Sequence, residues 1–225
     1  MRATALLTHI HWDHVQGLPC FVPALKAGSR FDIYGPGDAG LSLEQAFETF
    51  MRPPFFPVRV CDLQGEIVFH DLSDGDLSIG NAKVRARTVP HTGATNGYRV
   101  DWNGASVAYI SDHQSPTAAD GSGEGEDIAT SVLELCDGVD LLIHDTQFWP
   151  GEWQAKRDWG HCTVDYAVRV ARESGAHRLV MFHHDPGHDD AEVDRMLDHA
   201  RKAVSGCGVD EVIAASEGLT ITLDR

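Results

Sequence analysis

The segment Thr8-His9-Ile10-His11-Trp12-Asp13-His14 places three imidazoles and a carboxylate within six consecutive positions, His9 to His14. The apolar run 3–8 (Ala-Thr-Ala-Leu-Leu-Thr) leads directly into it and reads as a buried strand that delivers the cluster at its C-terminal end. His9 and His11, at i and i+2, project the same way while the chain stays extended, so both can reach one ion. Asp13 and His14 lie past the turn and can serve a second. Apolar packing gives no reason for such a density of polar rings, and the segment reads as one part of a metal centre.

Three further ligand candidates follow strand-like runs. His91 comes after 83–89 in Val-Pro-His-Thr-Gly, Asp112 after 105–110 in Tyr-Ile-Ser-Asp-His, and His183 after 178–182 in Leu-Val-Met-Phe-His-His. Taken together they supply two sites: His9, His11 and His91 on one ion, Asp13, His14 and His183 on the other, with Asp112 bridging. Imidazole and carboxylate ligands with open positions suit two Zn²⁺ ions, with Mn²⁺ or Fe²⁺ as alternatives.

The rest of the chain supplies the frame. With 225 residues, 42% hydrophobic and 23% charged, and no linker, repeat or composition break, residues 1–225 read as a single globular domain. Strands are expected at 31–34, 58–61, 66–70, 76–80, 83–89, 97–102 and 105–110, several bounded by turn signals such as Asp74-Gly75 and Asn103-Gly104. Helical periodicity is expected at 14–25, 127–136, 164–174 and 190–204, with strands at 139–143, 178–182, 211–214 and 219–223. This is an α/β pattern, a mixed sheet with helices on its outer faces. Residues 115–126 carry too little apolar content to pack and read as a mobile loop, either a connector or an active-site lid. Three prolines keep 52–57 irregular, leaving Phe55 and Phe56 as a packed anchor or a substrate-facing wall.

Composition excludes several classes. A formal charge of −16 repels phosphate backbones and anionic lipid headgroups, which argues against extended nucleic acid and against a membrane surface as partners. The five cysteines, Cys20, Cys61, Cys136, Cys162 and Cys207, are widely spaced without a C-x-x-C pair and read as reduced thiols. No apolar run approaches a membrane span and residues 1–8 are too short for a signal peptide, so a soluble, cytoplasmic protein is expected. The anomaly is histidine, with 13 copies clustered beside aspartates.

The H-x-H-x-D-H signature followed by a distant His, Asp and His resembles the metallo-β-lactamase superfamily. Asp13-His14-Val15-Gln16-Gly17-Leu18-Pro19 is similar to the D-H-x-x-G-L-P form of its ribonuclease Z and cyclic phosphodiesterase branch. Ser111-Asp112 resembles that branch's S-G-D-T without the intervening glycine, His144-Asp145-Thr146-Gln147-Phe148 its H-E-A-T-F, and His161-Cys162-Thr163 its H-S-T. Trp12 replaces the usual small residue inside the metal motif. His183 is followed by His184-Asp185-Pro186-Gly187-His188, so only His183 is carried over as a ligand; His184 should face the other way, and His188 should lie behind the ligands or at the surface. The resemblance implies an αββα sandwich. Several strands ordinarily precede the motif and only eight residues do here, so N-terminal strands are expected to be lacking and the sheet edge to need a cover, such as a second copy in a homo-oligomer.

The resemblance also implies a chemistry: hydrolysis of a phosphodiester by a hydroxide shared between two metals. Asp13 would orient that nucleophile besides binding metal, His161 would donate a proton to the leaving oxygen, and His144 would orient a ligand from behind. Lys156 and Arg157 are candidates to hold the scissile phosphate. The charge favours a small, cyclic nucleotide-like phosphodiester. The alternatives are a tRNA 3′-processing endonuclease, for which no Lys/Arg-rich arm is found, an ester or lactone hydrolase, and a non-catalytic metal-binding sensor.

Overall fold

The apolar run before the histidine cluster does form a strand, β1 (Arg2–Leu6), and the chain then enters a short helix, α1 (Trp12–Val15). The computed structural model describes residues 1–223. They divide into two compact units, one made of Met1–Gly75 with Gly93–Asn96, the other of Asp76–Thr92 with the chain from Gly97 onward.

In the first unit, β1 pairs in parallel with β2 (Arg30–Gly35) and β2 in parallel with β3 (Glu66–Asp71). Parallel neighbours need a crossover, and α2 (Leu43–Phe50) supplies the one between β2 and β3. Alternation along β2 sorts its side chains. Ile33 turns inward onto Val15, Leu43, Phe47 and Met51, while Arg30, Asp32 and Tyr34 form a polar row on the other face. Across that row Arg30 pairs with Asp32 and Glu66, His70 bonds Asp32 at 2.9 Å, and the Tyr34 ring stacks on His70. The sequence reading assigned no helix at 43–50, although Ser42 and Gln45 form its capping box.

Two expectations are corrected here. The helix expected at 14–25 breaks into α1 and two 3₁₀ turns, Leu18–Cys20 and Val22–Leu25, because Gly17, Pro19 and Pro23 interrupt it. The strand expected at 58–61 is instead a 3₁₀ turn, Val60–Asp62, in which Asp62 accepts from the Arg59 amide at 2.9 Å. β1 is an edge strand, and beside it lies an apolar cavity of about 440 Å³ lined by Ala3, Ala5, Val15, Phe21 and Phe31 among others.

The second unit is built on a sheet of seven strands among the described residues. In chain order its elements are β4 (Gly75–Ile79), β5 (Ala82–Thr88), β6 (Asn96–Trp102), β7 (Ala105–Ile110), α3 (Thr130–Cys136), β8 (Leu141–Asp145), α4 (Pro150–Lys156), α5 (Val164–Glu173), β9 (Arg178–Phe182), α6 (Asp190–Ala203) and β10 (Glu211–Ala214). The sheet order runs β10-β9-β8-β7-β6-β5-β4. β6 and β7 are antiparallel around Asn103-Gly104, whose φ values of 51° and 80° are those of a tight hairpin turn. β7, β8, β9 and β10 are mutually parallel. The C-terminal ends of β7, β8 and β9 therefore lie along one margin of the sheet, and the chain leaves them at Asp112, Asp145 and His183.

Helix α5 shows why the apolar pattern holds this unit together. Val164, Ala167, Val168 and Ala171 recur at helical spacing and are buried with Ile110, Leu142, Leu179 and Met181. Each fully buried Leu or Met contributes about 1.5–3 kcal/mol. Thr163 caps the helix by accepting from the Tyr166 amide, and Gly175, at φ 68°, ends it. Helix α4 was not foreseen, although Pro150 at its first turn and Glu152 bonded back to the Trp149 amide mark its start. No strand forms at 219–223: the apolar alternation there finds no partner strand, and Leu219 stays 45% exposed. All five cysteines are free. Among the described residues no helix is long and apolar enough to cross a membrane.

Candidate metal centre

The first unit gathers the whole opening motif. His11 is still extended (φ −60°, ψ 149°) and caps α1, so His9 and His11 do face the same way: His9 Nε2 and His11 Nδ1 are 2.9 Å apart. Past the turn, the His14 ring comes within 4.2 Å of the His9 ring, and Asp13 Oδ2 lies 3.3 Å from His14 Nε2. His9 is buried, with Nδ1 3.1 Å from Thr8 Oγ1. Trp12 projects outward, 58% exposed, its ring edge-on to Phe50.

The second unit gathers the remaining candidates. His183 Nε2 lies 2.8 Å from Asp112 Oδ1. His91, Asp112 and His161 offer one donor atom each within 4.8 Å of one another, a set able to hold an ion. The His91 Nδ1–H donates to the Gly160 carbonyl at 2.7 Å, which fixes the tautomer and leaves Nε2 with its lone pair for a metal. Only glycine fits at 160: φ is 94°, and a Cβ there would sit 2.5 Å from His91 Nδ1. His183 occupies the left-handed region at φ 58°, an unusual conformation for a non-glycine residue. Neutral imidazoles with aspartate oxygens are the donor set zinc prefers, so the residues in both units fit a divalent ion.

His161 is held by a carboxylate that the sequence reading quoted without giving it a role. The His161 Nδ1–H donates to Asp145 Oδ2 at 2.7 Å, and Asp145 is wholly buried. The same carboxylate accepts from the His113 amide at 3.0 Å and the Gln147 amide at 2.9 Å. Its signal was its place in the His144-Asp145-Thr146 element, where the resembling branch carries glutamate.

His144 stands behind this carboxylate. Its Nδ1–H donates to the Asp145 carbonyl at 2.7 Å, so its Nε2 accepts from His113 Nδ1–H at 3.0 Å. Burial pushes the His113 imidazole well below its usual range, reinforced by His144 and His91, and burial lowers His144 as well. Both rings are therefore neutral supports. Burial likewise pushes the Cys162 thiol far up, and its Sγ donates to the Asp145 carbonyl at 3.2 Å.

Lys156 is engaged rather than presented. Its ammonium is 2.6 Å from Asp185 and lies over the rings of Phe148 and Trp159. Burial alone would raise the Asp185 carboxyl, but Lys156 and the Gly187 amide outweigh it and hold the group below its usual value. Arg157 is 3.7 Å from its neighbour Asp158. The acid-rich surface thus supplies both candidate phosphate-holding cations with carboxylate partners. His188 is not at the surface: its Nε2 bonds Glu152 at 3.0 Å, and His184 turns to the Ala215 carbonyl.

The profile of the Beta-lactamase superfamily domain matches this chain over residues 3–184. The chain is 25% identical over 255 residues to a ribonuclease Z of Haloarcula marismortui, a match covering 95% of this chain and 78% of that protein. Among solved structures it resembles a diphosphatase of the PhnP family, with a TM-score of 0.63 and 20% identity over 99% of this chain and 72% of that one. It also resembles zinc-bound PqqB of Methylobacterium extorquens, with a TM-score of 0.67 and 18% identity over 98% and 73% of the two chains. These structural likenesses are likenesses of fold.

Proposed function

Because the chain belongs to the beta-lactamase superfamily, whose hydrolases work with divalent metal, we propose that it is a phosphodiesterase acting on small, cyclic nucleotide-like phosphodiesters. We assign His9, His11 and His91 to one ion, Asp13, His14 and His183 to the other, and Asp112 to both, with Zn²⁺ as the metal; the order of the motifs along the chain supports this assignment. Bound there, divalent ions supply Lewis acidity and a water of lowered pKa.

The observation that carries the reading is the buried Asp145 bonded to His161 at 2.7 Å. A buried carboxylate accepting from Nδ1–H holds the ring in place, and we assign its Nε2 to passing a proton to a leaving oxygen. We assign Asp13, 61% exposed at its side chain, to orienting the attacking water as well as to binding metal. The net charge of −16 supports a ligand bearing one phosphate over a polyanion.

The ribonuclease Z relatives support a second reading, a tRNA 3′-processing endonuclease. A panel of bis-p-nitrophenyl phosphate, 2′,3′- and 3′,5′-cyclic nucleotides and pre-tRNA, each with Zn²⁺ and Mn²⁺, separates the two. Turnover of the small diesters with intact pre-tRNA is expected; site-specific cleavage of pre-tRNA would overturn the first reading in favour of the second. The free edge of β1 is where we place contact with a second copy, and a monomer at high concentration by light scattering would remove that placement.

A further inference from the structure

Residues 115–126 pack through polar contacts, which corrects the expectation of a loop that cannot pack. The Ala118 amide donates to the Gly123 carbonyl at 2.8 Å, the Gly125 amide to the Pro116 carbonyl at 2.6 Å, and Thr117 bridges Glu124. The excursion thereby folds back on itself and brings the Glu124 carboxylate to two places at once. Ser115 Oγ donates to Glu124 Oε1 at 2.5 Å. The Thr163 amide donates to the same oxygen at 3.0 Å, and Thr163 Oγ1 donates to Oε2 at 2.5 Å. Both hydroxyls are used twice: Ser115 accepts from the Trp153 indole N–H at 3.0 Å and Thr163 from the Tyr166 amide at 3.2 Å.

Ser115 is three residues beyond Asp112, and Thr163 is two residues beyond His161. We propose that Glu124 is a positioning residue that braces the segment carrying Asp112 against the segment carrying His161, and so fixes the proton donor relative to that ligand. The inference rests on the phosphodiesterase reading for what the alignment serves.

A plain helix cap does not account for this arrangement. Thr163 caps α5 through the Tyr166 amide, and its own amide, which a glutamate at the third helical position would meet in a capping box, finds Glu124 because that position is Tyr166; the bond from Ser115 is what a cap does not require. With Glu124 included, His161 is secured from three directions: its ring by Asp145, the preceding Gly160 carbonyl by His91, and the following Thr163 by Glu124. Hydrogen bonds to an ionised acceptor are roughly twice as strong as neutral ones. Burial raises the Glu124 carboxyl above its usual range, opposed by the Ser115 and Thr163 bonds and helped by Asp165. A displacement of about 1 Å at a catalytic group is enough to cost as much as 10²-fold in rate, so a brace acting through its neighbours has a measurable effect.

The test uses Glu124→Ala and Glu124→Gln in the full chain loaded with zinc. Glu124→Ala should lower kcat by about 10–100-fold on a 2′,3′-cyclic nucleotide, whose leaving group is an alkoxide, and by less than about 3-fold on a p-nitrophenyl diester, with KM and metal content unchanged. Glu124→Gln, which retains an acceptor for Ser115 and the Thr163 amide, should fall between. The low-field NMR signal of the His161 Nδ1 proton should shift or broaden in Glu124→Ala. A folded Glu124→Ala protein with that signal and both rates unchanged, or with equal losses on the two substrates and an unchanged signal, overturns the brace. If wild-type protein turns over no phosphodiester, the proposed function fails, and the NMR signal alone still decides this inference.

Discussion

Asp145 accepts from His161 through Oδ2 at 2.7 Å while its other oxygen accepts from the Gln147 amide, so a wholly buried carboxylate fixes both the position and the tautomer of that ring. Asparagine in its place keeps one acceptor but points an N–H₂ at a donor. Asp145→Asn should lower kcat on alkoxide leaving groups by about 10²-fold or more and destabilise the fold by about 1–3 kcal/mol. Steady-state kinetics and urea unfolding check the two effects separately.

His161 is close enough to His91 and Asp112 to act as a ligand itself. Its Nδ1–H is committed to Asp145, which favours the proton-donor role for Nε2. His161→Ala should leave metal content intact and lower kcat by about 10²–10⁴-fold, less for p-nitrophenolate. A fall in bound metal by elemental analysis would reassign His161 to the ligands.

Removal of Asp112, the carboxylate assigned to both ions, tests the metal assignment. Purified protein should carry up to two transition-metal ions per chain, and Asp112→Ala should weaken both together, whereas His183→Ala should weaken one. Competition with a chromogenic chelator reads each. Protein that neither contains nor takes up metal would end the catalytic reading.

Gly160 tests the packing behind His91. A methyl at 160 would meet the imidazole at 2.5 Å while holding φ at 94°. Gly160→Ala should cost about 1–3 kcal/mol and weaken metal binding, because His91 must give way. A crystal structure of the variant with His91 undisplaced would contradict this.

Asp32 sets an acid limit on stability. Its carboxyl is drawn from 3.8 to about 2, first by the Arg30 guanidinium and then by His70, so the charged form is favoured in the folded protein. A depressed pKa contributes stability that is complete above the unfolded value and is lost as pH falls through the folded one, here between about 4 and 2. Asp32→Asn should therefore be less stable than wild type at neutral pH, with the difference shrinking across that window. Urea midpoints at a series of pH values measure it.

The chain's own order carried much of this protein. The density of His9, His11, Asp13 and His14 after an apolar run announced a metal motif, because both the i, i+2 projection of a strand and the turn after it are local geometry. Asn103-Gly104 likewise fixed its hairpin, since a residue pair tolerant of positive φ decides the turn without help from distant parts. Ser42 with Gln45 and Pro150 with Glu152 were equally local signals for α2 and α4.

Tertiary structure decided what depends on partners far apart in sequence. The apolar alternation at 219–223 forms no strand, because a strand exists only where another offers its backbone. Lys156 and Arg157 read as candidates to hold a phosphate, and only the fold gives Lys156 the Asp185 carboxylate as a partner. Residues 115–126 looked too polar to pack, yet Glu124 anchors them, since a buried carboxylate satisfied by Ser115 and Thr163 holds a loop that apolar contacts would not. Asp145 stood in plain view beside His144, but its role required β8 to set it against His161, 16 residues onward. Periodicity and turn chemistry act within a few residues and are written in the sequence; a buried charge takes its meaning from the donors that the fold brings to it.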